Sequence, residues 1–261
     1  KVYTSGTFFE DQEIPVDFQE SVLVETFERK IHLVVEAQAQ LCYPKKIAWL
    51  AKKHPGCTIA LGLEAYDDTV LRFHVNKGFS TKQWHKAVDL LRENSLRVKT
   101  YLIFKPPFMS EGDALNHTIE WVKQVAPLSD EVSINPMNIQ RSTIVDRLFR
   151  NREFRPPWLW SLVDMIEKTH SEISQLDCRT IVHPTAGGRI RGAHNCGSCD
   201  EDVVAAIERY SVSSNLEEFS GIDCSCKKVW DVEIFNDNNL PISLGSGLDR
   251  RSSRTDTVRA P

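Results

Sequence analysis

Short apolar segments of strand length alternate with longer segments of helical period along this chain, and this alternation predicts an α/β fold. The chain has 261 residues, of which 41% are hydrophobic and 26% charged, so it is large enough to bury one substantial core. Strands separated by helices are typical of a parallel sheet or barrel. One main α/β domain with a small appendage is therefore expected.

Six strands are expected, at residues 1–5, 32–36, 58–63, 98–105, 131–135 and 179–183. The apolar period predicts helices at residues 16–29, 44–53, 69–75, 80–94, 111–125, 143–150, 157–169 and 201–210. Ser80, followed three residues later by Gln83, is typical of a capping box, and Trp84, Val88 and Leu91 then share one face. These elements are expected to build the main domain.

The alternation weakens near Asp177 and a stretch with glycines and cysteines follows. We therefore expect three regions: a barrel at residues 1–176, a Cys-rich metal-binding module at 177–235, and a tail at 236–261. The tail is polar and lacks an apolar face, which predicts disorder.

The chain carries no signal-peptide pattern and no apolar run long enough to span a bilayer, so a cytoplasmic protein is expected. Its strand-like start predicts that the sequence begins within a domain. A net charge of −4 argues against a wholly basic nucleic-acid coat but leaves room for a local basic face. Arginines at 150, 152, 155, 189 and 191 are either phosphate contacts or an ordinary solvated surface.

Four of the seven cysteines form two close pairs, Cys196 with Cys199 and Cys224 with Cys226. Four thiolates suit a tetrahedral zinc ion or an auxiliary iron–sulfur cluster, and unliganded thiols are the remaining alternative. Loop residue His194 is either a substitute ligand or a bystander. The isolated cysteines Cys42 and Cys57 are expected to be core thiols.

Several motifs resemble radical S-adenosylmethionine (SAM) enzymes. The run Gly-Leu-Glu-Ala-Tyr-Asp-Asp-Thr-Val-Leu at residues 62–71, followed by Val-Asn-Lys-Gly-Phe-Ser at 75–80, resembles their fourth-strand signature, as in methylthiotransferases and the Elongator catalytic subunit. Lys-Pro-Pro-Phe at 105–108, Gln-Arg-Ser-Thr at 140–143 and His-Asn-Cys-Gly-Ser-Cys at 194–199 narrow the resemblance. Together they resemble the archaeal radical-SAM family that acts with archaeosine synthase on transfer RNA (tRNA).

The resemblance implies a partial (β/α)6 radical-SAM barrel that lacks its first strand and cluster loop, with a small Cys-rich C-terminal module. It implies that SAM meets a glycine-type turn, a ribose-binding carboxylate, an ammonium for the SAM carboxylate, and an adenine-packing side chain. The implied cofactor-binding residues are Ser5, Gly6, Thr7, Glu36, Gln38, Glu64, Lys77, Tyr101 and Ile103. Lys105, Asn138 and Arg141 are expected at later strand ends, where they either face the substrate or are solvated loop residues.

The family also uses a [4Fe–4S] cluster on three cysteines after its first strand, and this chain has no such segment. The implied reaction is radical removal of hydrogen from a lysine-adducted 7-deazaguanine in tRNA, which leaves archaeosine. The implied partners are tRNA and archaeosine synthase, and this chain alone is expected to be inactive. Two alternatives stay open. The chain is either a catalytically inactive barrel that serves as a partner or RNA-binding subunit, or a radical-SAM enzyme for another tRNA base. Cysteines upstream of Lys1 would favour an enzyme.

Overall fold

A computed structural model of the chain describes residues 7–239 and contains a five-stranded parallel sheet in the order β1-β2-β3-β4-β5. The strands are β1 Val34–Ala37, β2 Thr58–Glu64, β3 Arg97–Phe104, β4 Glu131–Pro136 and β5 Arg179–Val182. Neighbouring strands pair in sequence order, so each connection crosses over through at least one helix, as in a barrel. The predicted strand at residues 1–5 lies outside the described residues.

The α-helices of the described region are α1 Val16–Glu28, α2 Pro44–Lys53, α3 Asp68–Val70, α4 Thr81–Glu93, α5 Glu111–Val125, α6 Ile144–Arg150, α7 Leu159–Ile173, α8 Asp200–Ser213 and α9 Lys227–Asn239. They agree with the predicted helices to within a few residues, with two exceptions. The segment expected as one helix at 69–75 divides into α3 and a π-helical turn, Leu71–Val75. Helix α9 has no counterpart among the predicted helices.

The sheet has two chemically different faces because side chains alternate along each strand. On β3, Leu102 and Phe104 are fully buried on the helix-covered face, while Lys99 and Tyr101 project into the concave inner face. Helix α4 covers the outer face with Trp84, and its predicted capping box at Ser80 is present. The inner, polar face is therefore available for a ligand.

The cysteine-bearing region packs on the sheet domain. Strand β5 extends the sheet, and the buried side chains of α8 and α9, including Ile207 and Trp230, join the same apolar cluster as the strands. Helix α9 continues through Asn239, four residues into the predicted tail, and the rest of that tail lies outside the described residues. The domain boundary at 176/177 stays a prediction.

Among residues 7–239, no helix combines the length and the apolar character that crossing a bilayer requires. The cytoplasmic location stays a prediction.

Candidate functional site

A cavity of about 530 Å³ opens on the inner face near the carboxyl ends of the strands. We call it the strand-end cavity. Five predicted cofactor residues line it, although they are far apart in sequence: Glu36, Gln38, Glu64, Lys77 and Tyr101. The volume falls within the usual range for a small-molecule site, and strand carboxyl ends are where α/β barrels place their ligands.

An ion pair between Lys77 Nζ and Glu64 Oε1, 2.9 Å apart, lies in this cavity. The β2–β3 register shifts between Gly62 and Glu64, and Glu64 has a φ of 73°. Bulges of this kind redirect side chains next to active sites. A Cβ on Gly62 would lie 2.7 Å from Glu64 Oε1 and 3.4 Å from Lys77 Nζ, so the absent side chain makes room for the pair.

The cavity also contains polar residues that were not singled out as cofactor contacts. Ser133 is fully buried, and its hydroxyl has no hydrogen-bond partner within the described part of the chain. Lys99 is 2% exposed, and its Nζ lies 2.6 Å from Glu131 Oε1. The alternation of polar residues in β4, with Ser133 two positions before Asn135, is the sequence signal that would have revealed this lining.

The remaining predicted cofactor residues lie elsewhere. Thr7 is buried, and its hydroxyl accepts from the backbone N–H groups of Phe9 and Gln38, which ties this segment to the end of β1. Ile103 is partly exposed on β3 and is not among the residues that line the cavity. Ser5 and Gly6 lie outside the described residues. Cofactor contacts stay predictions for these four residues and for the five that line the cavity.

The three substrate candidates differ in their surroundings. Lys105 follows β3 directly and is 4% exposed, while Arg141 is exposed. Asn138 accepts a hydrogen bond from Gln140 at 2.6 Å. The structure does not bring these three side chains into one cavity, and their contact with substrate stays a prediction.

Lys105 begins a buried hydrogen-bond network. Its Nζ donates to Glu111 Oε2 at 2.7 Å, and this carboxylate also accepts from the Ser161 hydroxyl and the Trp158 backbone. The Ser161 oxygen in turn accepts from Trp230 Nε1 of α9 at 2.8 Å. The network connects the end of β3 with α5, α7 and α9, because its residues come from these different elements.

The four cysteines predicted to bind metal converge, and their sulfurs all lie within 4.8 Å of one another. The Sγ–Sγ distances are 3.7 Å for Cys196–Cys224, 3.7 Å for Cys199–Cys226 and 4.0 Å for Cys196–Cys199. A zinc–sulfur bond of about 2.3 Å gives a tetrahedron with edges of about 3.8 Å. The group therefore fits one tetrahedral ion.

Neighbouring N–H groups are aimed at these sulfurs. Trp160 Nε1 lies 3.2 Å from Cys226 Sγ, and Asn195 Nδ2 lies 3.4 Å from Cys199 Sγ. The backbone N–H of Ser198 lowers the pKa of Cys196 to about 6, whereas burial raises the pKa of Cys199 to about 12. A bound cation would offset the cost of ionising the buried thiol. His194 donates its Nδ1 proton to the carbonyl of Gly192 and is not part of the four-residue group.

Two of the arginines considered as phosphate contacts are held within the protein. Arg155 stacks over Trp158, with 3.9 Å from Cζ to the ring centroid, and donates to the backbone carbonyl of His194. Arg191 donates to Asp146 at 2.6 Å and to a backbone carbonyl. Their role in this structure is to hold loops together.

Asp146 joins the Arg191 loop to α6, and hydrogen bonding from Arg191 is the main cause that lowers its pKa to about 2. An unfolded aspartate titrates near about 3.9, so this carboxylate stabilises the fold above that pH and loses its effect as the pH falls through about 2. Asp146→Asn is expected to lower the free energy of unfolding at about pH 7, and the deficit should shrink between about pH 4 and 2. Urea denaturation at several pH values measures this.

The exposed Asp89 on α4 provides the control, because Asp89→Asn should change stability little at any pH. A deficit of Asp146→Asn that stays constant down to about pH 2 would contradict the assigned pKa.

The strand order and the polar strand-end cavity define this chain as an open parallel α/β barrel with a cavity of small-molecule size at the strand ends. The solved structure of Elp3 from the archaeon Methanocaldococcus infernus, with residues 1–46 deleted, has the same fold, with a TM-score of 0.58 and 19% identity. The match covers 83% of this chain and 49% of that one, so this chain spans about half of its length.

Curated relatives identify the particular family. Archaeosine synthase subunit beta of Methanosarcina acetivorans is 30% identical over 234 residues, which cover 88% of this chain and 67% of that protein. The protein of the same name from Thermococcus kodakarensis is 29% identical over 241 residues, 90% of this chain and 74% of that protein. No protein-family model matches the sequence. The chain belongs to the archaeosine synthase subunit beta family.

Proposed function

We propose that this chain is the SAM-binding part of a radical-SAM enzyme that acts with archaeosine synthase on tRNA. The proposed reaction converts a lysine-adducted 7-deazaguanine to archaeosine. The observation that carries the proposal is the convergence of Glu36, Gln38, Glu64, Lys77 and Tyr101 on one cavity at the strand ends. Membership of the archaeosine synthase subunit beta family supports the choice of substrate.

The polar groups of the strand-end cavity match the chemistry of SAM. The Glu64–Lys77 pair offers an acceptor for the α-ammonium of an amino acid and a donor for its carboxylate. Glu36 and Gln38 lie close together at the end of β1, where they would accept from and donate to ribose hydroxyls. The buried Ser133 hydroxyl is a further polar contact that a ligand would satisfy.

The [4Fe–4S] cluster of this enzyme class, when bound with SAM, supplies a carbon radical that abstracts hydrogen. Of the cysteines in the described region, only the tight Cys196, Cys199, Cys224 and Cys226 group could share a metal, and it fits a single ion. In a four-iron cluster each thiolate binds a different iron, which needs wider sulfur spacing. We propose structural zinc for this group, and cluster ligands upstream of Lys1 in the whole protein.

The proposal is tested on a full-length member of the family that carries these residues, with its cluster reconstituted anaerobically. Reductive cleavage of SAM should release 5′-deoxyadenosine. Lys77→Met should lower SAM affinity about tenfold or more, because a charge-assisted hydrogen bond is lost. Gly62→Val should have a similar effect, because its side chain would occupy the space of the Glu64–Lys77 pair.

Lys82→Met, on an exposed position of α4, is the matched control and should bind SAM normally. Circular dichroism checks that each variant is folded. An assembled cluster that yields no 5′-deoxyadenosine would contradict the reaction class, and unchanged SAM affinity of Lys77→Met would contradict the binding site.

A further inference from the structure

A second cavity, of about 510 Å³, opens near the end of β3, outside the strand-end cavity. We call it the aromatic pocket. Its apolar wall consists of Phe108, Phe149, Phe154 and Ile190, and the amine of Lys105 lies at its base. Phe108 is 40% exposed and Ile190 is 70% exposed, so part of this wall faces solvent. The lining of the aromatic pocket also contains two arginines and four carboxylates: Arg152, Arg155, Glu111, Glu153, Glu233 and Asp237. Three of these carboxylates are engaged within the protein, because Glu111 accepts from Lys105, Glu233 from Trp158 Nε1 and Asp237 from the backbone N–H of Gly112. The pocket therefore combines flat apolar surface with the buried cation of Lys105 and a polar rim.

Three residues that line the aromatic pocket have a left-handed backbone conformation. Lys105, Phe108 and Arg152 have φ values of 57°, 68° and 62°, a left-handed conformation that disfavours residues with bulky side chains. Strain of this kind persists where the surrounding structure enforces it and is concentrated at ligand sites. All three residues line the aromatic pocket.

Exposed arginines lie beside the aromatic pocket. We call Arg147, Arg150, Arg152 and Arg189 the arginine patch. Arg152 lines the pocket itself, Arg189 precedes the pocket residue Ile190, and Arg147 and Arg150 are on α6. The chain as a whole has a net charge of −4, so this local excess of cations is not a consequence of overall composition.

Asp146 is the acidic residue of α6 and is already engaged, whereas Glu153, which follows Arg152, is a further exposed acidic residue at the pocket. Asp146 is 3% exposed, and its two oxygens accept from Arg191 and Arg150. Arg147, Arg152 and Arg189 do not share this carboxylate in the described structure. Their guanidinium groups are therefore placed for an external anion.

We propose that the arginine patch and the aromatic pocket form an RNA-binding surface, in which the arginines contact phosphates and the pocket holds one unstacked base. The choice of RNA as the ligand rests on the proposed function in tRNA modification. A cationic surface beside aromatic side chains is the combination that binds single-stranded nucleotides, because phosphates meet the cations and a base stacks on the rings.

Lys105 supplies a hydrogen-bond donor within this pocket. An ammonium has three protons, and one is donated to Glu111 Oε2 at 2.7 Å. The others can be donated to a carbonyl oxygen or ring nitrogen of the base. The 5.6 Å distance from Lys105 Nζ to the Phe154 ring centroid places this donor beside the apolar wall.

The test measures binding of a fluorescein-labelled, unmodified archaeal tRNA transcript to the full chain over a range of salt concentrations. Arg147→Gln combined with Arg152→Gln and Arg189→Gln should weaken binding on the order of tenfold. It should also make the slope of log K against log salt shallower by about 2 to 3, because fewer counterions are released when phosphate contacts are lost.

Phe108→Ala should weaken binding about fivefold to a hundredfold with an unchanged salt slope, since stacking involves no counterion release. The charge-matched control is Lys52→Gln with Lys82→Gln and Lys86→Gln, on exposed positions of α2 and α4, and it should bind like the wild type. All variants are checked for an unchanged unfolding transition.

Three results would overturn the proposal: no binding of the transcript by the wild-type chain, equal losses in the lysine control and the arginine variant, or normal binding by Phe108→Ala. The assay contains neither SAM nor a cluster. A failure here therefore leaves the SAM-cleavage test of the proposed function unaffected, and failure of that test leaves this one interpretable.

Discussion

One metal ion per chain is expected to bind the purified protein tightly, and Cys199→Ala is expected to remove it. Cys199 is buried, and its sulfur lies 3.7 Å from that of Cys226 and 4.0 Å from that of Cys196. The ion would link the turn before α8 to the start of α9, so its loss should lower the free energy of unfolding by about 3 kcal/mol or more. Metal analysis by mass spectrometry and thermal unfolding measure both effects.

Cys178→Ala is the matched control, because Cys178 lies outside the four-cysteine group. This variant should bind one metal ion per chain and have the same free energy of unfolding as the wild type. Trp160→Phe removes the N–H donor to Cys226 Sγ and should weaken metal affinity about tenfold to a hundredfold while the four ligands remain. Stoichiometric iron with acid-labile sulfide, in place of a single zinc ion, would contradict the single-ion site.

Glu111→Gln is expected to destabilise the protein by about 3 to 5 kcal/mol, because it leaves the ammonium of Lys105 buried without its counter-charge. The side chain of Glu111 is fully buried and that of Lys105 is 5% exposed. The amide of the substituted side chain would keep an oxygen that accepts from Trp158 and Ser161. The measured loss of stability therefore reports on the ion pair with Lys105 alone. Urea denaturation gives the free energy of unfolding.

Combining Glu111→Gln with Lys105→Met should restore part of the lost stability, since the double variant contains no unpaired buried charge. The more solvent-exposed pair of Lys168 and Asp164 provides a comparison, and Lys168→Met should change stability by less than about 1 kcal/mol. If Glu111→Gln lowers the free energy of unfolding as little as Lys168→Met does, the buried ion pair does not stabilise the protein as proposed.

Strands and most helices were predictable because their signals are local. The period of apolar residues placed β2, β3 and β4 to within about one residue. The resemblance to radical-SAM enzymes, by contrast, supplied Glu64 and Lys77 as residues of one site, and both line the strand-end cavity. The paired spacing of the cysteines was similarly informative, because each pair lies in a single short segment of the chain.

Helix α9 was not predictable from the same signals. Its sequence is polar, and Trp230 is its one buried side chain. It is held by distant contacts, such as the Asp237 carboxylate that accepts from the backbone N–H of Gly112 at 2.9 Å. A Cβ on Gly112 would lie 2.8 Å from that of Asp237, so the close approach depends on a glycine more than a hundred residues away in sequence.

The amino-acid sequence was enough to predict the α/β class, the positions of β1 to β5 along the chain and the two close cysteine pairs, because all three depend on neighbours in the chain. The tertiary structure alone decided that the ammonium of Lys105 pairs with a fully buried carboxylate. It also decided which arginines bind within the protein: Arg155 and Arg191 do. The side chains of Arg147, Arg152 and Arg189 are exposed to solvent. These outcomes depend on which long side chains meet across separate elements, and a linear pattern does not encode such distances.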